Sequence, residues 1–148
     1  MGQYWVPVNL DKKEFVSPHK LATGLKLWEH LANHPGTGAA LIVLLAAMPY
    51  ERGGGDLLKD CDSARSVIGR WAGDRIALVG DYAEDSDLPE EFEASKIYEE
   101  CVDNEDDREG IYRDITDDVC KVIEKELGGT FQGDGWREFV RNTEKETA

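Results

Sequence analysis

The chain has 148 residues, with 17 Lys and Arg against 31 Asp and Glu, which gives a formal net charge of −14. That length suits one domain, large enough to bury a core without disulfides or a metal. The charge argues against direct nucleic-acid binding and against attachment to anionic membranes, because both depend on Lys and Arg neutralising negative charge.

In chain order, Met1–Val6 lacks the basic and long apolar stretches of a signal peptide and places Val6 where a myristoylation signal needs Ser or Thr. A cytoplasmic protein is expected. Residues 4–9 and 14–16 are short runs of aromatic and β-branched type around Leu10-Asp11-Lys12-Lys13, a β-hairpin pattern. Pro7 cannot donate to a ladder, so the first strand is expected at an edge or a bulge, and Ser17-Pro18 breaks the second. Leu21, Leu25, Trp28 and Leu31 recur at helical spacing and predict a helix over about 24–33, ended by His34-Pro35. Pro35–Gly38 reads as a turn, with Thr37 as a plain cap for the next helix. Ala39–Met48 is ten apolar residues, half a membrane span, and its Ala and Leu content predicts a core helix apolar all round.

Pro49 ends that helix, and Tyr50–Asp56 reads as a mobile loop. Residues 63–71 fit either a helix or a strand, whereas Arg75–Gly80 is a short apolar run between Gly-Asp pairs and predicts a strand. Ile115–Leu127 is an amphipathic helix: Ile115, Val119, Val122, Ile123 and Leu127 share a stripe, Asp114 can cap its start and Gly128 its end. Trp136, Phe139 and Val140 predict a last short helix. The elements together predict an α+β fold: a single domain over 1–142, a small, mostly antiparallel sheet packed by several helices, and a fraying tail over 143–148.

Charge is uneven. Residues 81–110 contain 14 acidic residues against Lys96 and Arg108, a net −12, while the remainder holds 15 basic and 17 acidic residues. The plain reading is a solvated loop and surface helix with Phe92, Ile97, Tyr98 and Cys101 on an apolar face. Calcium ligation lacks the required Asp-x-Asp-x-Asp-Gly spacing. An acidic surface that engages a basic partner, or occupies a nucleic-acid groove as a mimic, is the third reading.

Cys61, Cys101 and Cys120 are odd in number and widely spaced, which fits neither a zinc ribbon nor a disulfide framework; Cys120 is expected on a packed helix face. His30 and His34 are four apart and His19 precedes them, but the helix ends before Pro35, so no metal and no other cofactor is expected. Gly36-Thr37-Gly38 lacks the strand and the further residues of a nucleotide-binding loop. Two segments are candidate ligand sites. Arg52-Gly53-Gly54-Gly55-Asp56 combines a guanidinium fork with a backbone open to close approach. Trp71-Ala72-Gly73-Asp74-Arg75 places an aromatic face, a carboxylate and a guanidinium within five residues, which fits a ring-binding site and equally an Asp74–Arg75 turn with Trp71 buried. Asp74 and Asp81, at opposite ends of the strand, would be about 20 Å apart, too far for a carboxylate pair. No nucleophile motif is present.

Met1-Gly-Gln-Tyr-Trp5, Val8-Asn-Leu-Asp-Lys-Lys-Glu14, Pro18-His-Lys20, Gly24-Leu-Lys-Leu27, Arg52–Asp56 and Trp71–Tyr82 together resemble a group of small bacterial and phage-associated proteins. The resemblance covers the chain to about residue 82, implies a cytoplasmic single domain and a phage–host setting, and assigns no catalytic residues. The expectation is therefore a non-enzymatic binding or interaction protein whose partner is a protein or a small anionic ligand, held at 52–56 and 71–75. The alternative is a small enzyme for a nucleotide-like or phosphorylated substrate, with Arg52 and Arg75 holding the anion and Asp74 or His19 as acid or base.

Overall fold

Alternation of side chains at the N-terminus builds the sheet. The computed structural model describes residues 2–32, 35–47, 52–57, 67–103, 110–132 and 138–141. Strands β1 (Trp5–Asn9) and β2 (Glu14–Phe15) form the expected hairpin, with Val8 opposite Phe15 and Asn9 opposite Glu14. Asn9 closes its turn by accepting the N–H groups of Asp11 (3.0 Å) and Lys12 (2.8 Å) on its side-chain carbonyl. Strand β3 (Ile76–Gly80) lies antiparallel to β1, and β4 (Arg113–Asp114) runs parallel to β2, giving the order β3-β1-β2-β4.

Pro7 is thus in an interior strand, contrary to the edge or bulge expected of it. The Val16 N–H donates to the Pro7 carbonyl at 3.3 Å, and the return bond is the one that Pro lacks. The cost falls where the β1–β2 ladder ends, so the sheet tolerates it.

Helix α1 (Glu29–Ala32) is a single turn, in place of the helix predicted over 24–33. The Leu25 carbonyl, which a helix would need, accepts the Trp5 N–H at 2.8 Å. Tertiary pairing has taken the local acceptor. Helix α2 (Gly36–Leu45) is a helix, as its Ala and Leu content predicts, but it starts earlier than expected, so Pro35–Gly38 is not a turn. Thr37 is no cap either: Thr23, from the preceding segment, accepts the Thr37 N–H at 3.1 Å on its hydroxyl. Ala40, Val43 and Leu44 are buried, while Ile42 is 64% exposed, so the helix is not enclosed all round. Its C-terminal carbonyls are met from segment 67–71: Gly69 N–H donates to Val43 (2.8 Å) and Trp71 N–H to Leu44 (2.9 Å). Gly69 has φ +71°, and a Cβ there would lie 2.7 Å from the Ala46 carbonyl oxygen, so the approach requires glycine.

Helix α3 (Ala94–Asp103) turns Ala94, Ile97 and Cys101 inward against Val6, Val8, Phe15 and Val79, one face of the sheet. Helix α4 (Thr116–Leu127) has the Gly128 end that the sequence predicts, while its N-cap position is Ile115, which makes no side-chain cap bond, and Asp114 serves the first turn from one residue further back. Asp114 accepts the Thr116 N–H at 2.9 Å, and Gly128, at φ 69°, donates to the Glu124 carbonyl at 2.9 Å. Its Val119, Cys120, Val122 and Ile123 form the second core with α2, Leu21 and Trp71, while Leu127, the fifth member of the predicted stripe, is partly exposed.

The predicted last helix is instead a hairpin of β5 (Gly129–Gln132) and β6 (Glu138–Arg141). Phe139 meets Phe131 edge-on with ring centroids 5.2 Å apart, a cross-strand contact that outweighs any helical preference. Trp136 and the tail lie outside the described residues. The whole is a small α+β domain with one mixed sheet and one two-stranded sheet. Among the described residues, no helix is long and apolar enough to cross a membrane.

Candidate functional site

Trp71, Asp74 and Arg75 are brought together at the β1–β2 hairpin, and each is engaged by it. Trp71 is fully buried; its indole N–H donates to Glu14 Oε1 at 3.0 Å, so its ring is core and not a stacking platform. Arg70 grips the same carboxylate through Nε (3.0 Å to each oxygen) and Nη2 (2.6 Å to Oε2). Asp74 accepts from the Asn9 amide at 2.9 Å and from Lys12, and these bonds hold its carboxyl below the usual range. Arg75 pairs with Asp11 (2.7 Å) and Glu91 (3.1 Å) and lies 4.7 Å over the Phe92 ring. An anion arriving at Arg75 would have to displace two carboxylates.

Arg52 and Gly53–Gly55 form a separate exposed turn. The Asp56 carboxylate accepts the backbone N–H groups of Arg52 and Gly53, both at 2.9 Å, and these bonds lower its pKa. The turn therefore already holds an anion of its own. His19 lies elsewhere again, lining a cavity of about 140 Å³ with Phe15, Tyr98 and Cys101. That cavity contains none of the other predicted site residues. His34 and Cys61 lie outside the described residues; Cys120 is buried on α4 as expected, and its thiol faces the Lys20 carbonyl at 3.8 Å.

Sequence reasoning passed over a second polar cluster, which is buried. Lys20 Nζ donates to Asp114 Oδ2 at 2.7 Å, the Thr116 hydroxyl bonds to Asp114 Oδ1, and the Ser17 N–H donates to the Thr116 hydroxyl at 2.7 Å. All four residues are buried. The cluster ties the turn after β2 to the start of α4.

The largest departure from the sequence reading is apolar. Trp28 and Leu31, expected on the core side of a helix, are 76% and 72% exposed. With Leu27, His30, Leu41 and Leu78 they line an open cavity of about 300 Å³. A second cavity, of about 310 Å³, shares Leu78 and is lined by Trp5, Ala83, Asp87 and Leu88. Periodicity could not have located this face, since a stripe of Leu and Trp reads alike whether it meets a core or a partner.

His30 supports the floor of the first cavity. Its Nε2 faces the Leu25 carbonyl at 3.4 Å, which can only accept, so Nε2 carries the proton of the neutral ring and Nδ1 accepts from the Thr37 hydroxyl at 3.2 Å. Burial lowers its pKa below the ordinary 6.5. The unfolded chain therefore binds the proton more readily, and the His30 contribution to stability, full above 6.5, is lost as pH falls toward the folded-state value. Denaturant midpoints measured at about pH 7.5 and about pH 5.5 should converge more closely for His30→Gln than for wild type. An equal drop in both proteins would assign the effect to other groups.

Among the described residues, no group of three or more His, Cys, Asp or Glu side chains is placed to hold a metal ion. Compared with known proteins, the chain matches no family model, no curated protein and no solved structure.

Proposed function

We propose that this chain is a non-enzymatic interaction protein that holds a protein partner on the apolar face around Trp28 and Leu31. The observation that carries the reading is the exposure of these two side chains beside a cavity of about 300 Å³. Contiguous apolar surface of this kind mostly marks a contact site, and tryptophan is among the residues that contribute most to binding when a partner covers it. The loops first considered as ligand sites support the reading by being occupied. Asp74 and Arg75 are spent on the hairpin, and the Arg52–Asp56 turn on its own carboxylate. The resemblance to phage-associated proteins fits a partner supplied by a bacterial host.

The test is capture of a partner by tagged protein in a bacterial host, followed by affinity measurement on the purified pair. Trp28→Ser combined with Leu31→Ser should weaken binding at least about tenfold, with Tm nearly unchanged because both side chains are exposed. The reading fails if the double variant binds as wild type while Arg52→Ala with Arg75→Ala does not, which would return the site to the loops.

A further inference from the structure

Strand β3 is at the edge of the four-stranded sheet. The Leu10 N–H donates to the Arg75 carbonyl and the Asp81 N–H to the Tyr4 carbonyl, both at 2.9 Å, and the register between them pairs Val8 with Ala77 and Val6 with Val79. Antiparallel ladders alternate, so Ala77 and Val79 bond to β1, while Ile76, Leu78 and Gly80 turn their backbone groups outward. The Gly80 carbonyl accepts the Ala83 N–H at 3.2 Å. Ile76 and Leu78 have no such partner among the described residues. Ile76–Gly80 also has no Pro and no charged residue, the usual guards of an open edge.

The cavities on either side of this edge meet at Leu78. A strand laid along it would send alternate side chains to opposite faces, one set toward Trp28, Leu31 and Leu41, the other toward Ala83 and Leu88. The surroundings set the charge. Residues 81–93 contain seven Asp or Glu and no Lys or Arg, and Asp87 lines the second cavity. A second copy of this chain would bring the same acidic segment against itself, which like-charge repulsion opposes.

Resting on the interaction reading above, we propose that the partner binds as an extended segment that adds a strand to β3 at Ile76 and Leu78. The segment has bulky apolar residues at alternate positions and Lys or Arg at its ends. Backbone bonds provide register and the two cavities provide selectivity.

The probe is a panel of blocked nine-residue peptides alternating Leu, Val, Ile or Phe with Thr, each with lysines at both ends. Members should bind and slow exchange of the Ile76 and Leu78 amides. The same panel with glutamate ends should bind at least about tenfold more weakly, and the lysine advantage should shrink in high salt. Leu78→Pro deletes an outward N–H and leaves the β1 ladder intact, so it should abolish binding where Leu78→Ala only weakens it. The proposal is overturned if no member binds, if binding leaves both amides unprotected, if glutamate ends bind as well as lysine ends, or if Leu78→Pro binds like Leu78→Ala. It is also overturned if the amides are protected without peptide in a self-associated form. Peptides that shift the Trp28 indole without protecting Leu78 would sink strand addition and leave the interaction face standing, whereas full partner binding by the Trp28 and Leu31 double variant would remove that face itself.

Discussion

Asp114→Ala should cost about 4 kcal/mol of stability, near the middle of the range for breaking a buried ion pair from one side. The Asp114 side chain is 2% exposed and that of Lys20 10%, so the ammonium left behind has little access to water. The loss is larger than a single ion pair implies, because the same carboxylate accepts the Thr116 N–H and hydroxyl at the start of α4. Thr116 in turn receives the Ser17 N–H. Lys20→Met should cost less, about 2 kcal/mol, since the carboxylate retains its Thr116 donors. Guanidinium denaturation at unchanged m-value measures both. Were Lys20→Met the more damaging of the two, the capping role of Asp114 would be wrong.

Glu14→Ala should cost about 3 kcal/mol. Glu14 is almost fully enclosed, and truncation strands the buried Trp71 N–H and removes the carboxylate from Arg70. The effect stays below that of Asp114 because the Arg70 side chain is 34% exposed and can recover water. Glu14→Gln keeps an acceptor for the indole and should fall between wild type and Glu14→Ala. If Glu14→Ala lowers the unfolding free energy obtained from urea denaturation by less than about 1 kcal/mol, the clasp between the hairpin and segment 70–75 is not what holds them together.

Both clusters join residues far apart in the chain, and this separates what could be read in advance from what could not. Lys20 and Glu14 offer no local signal, since nothing within a few residues of either predicts burial. The same limit explains the last hairpin. Thr130-Phe131-Gln132 and Glu138-Phe139-Val140 are short runs that fit a strand or a helical turn equally, and the edge-on contact of Phe131 with Phe139 decides between them. The candidate site was legible only in part. Trp71, Asp74 and Arg75 do gather in one place, but their partners at Asn9, Asp11, Lys12 and Glu14 lie on the hairpin, some 60 residues earlier.

Local chemistry was enough for α4, whose stripe, Asp114 and Gly128 all lie in its span or within two residues of it, for β3 between its Gly-Asp pairs, and for the first hairpin. Ile97 and Cys101 of α3 face inward with Phe92 and Tyr98 packed beside them, the apolar face that the plain reading of the acidic segment expects. Tertiary structure decided the rest. Pro7 is interior because β3 covers the side of β1 that makes no demand on its missing donor, and segment 24–28 is no helix because Trp5 has claimed the Leu25 carbonyl. Trp28 and Trp71 show the division most plainly. Each sits in an apolar pattern at helical spacing, yet one is core and the other open to solvent. Trp71 has Leu44 for its backbone and Glu14, 57 residues away, for its indole, whereas the stripe that holds Trp28 finds no second layer among the described residues. Burial is a property of what the rest of the chain brings to a side chain, and periodicity reports only the side that could be covered.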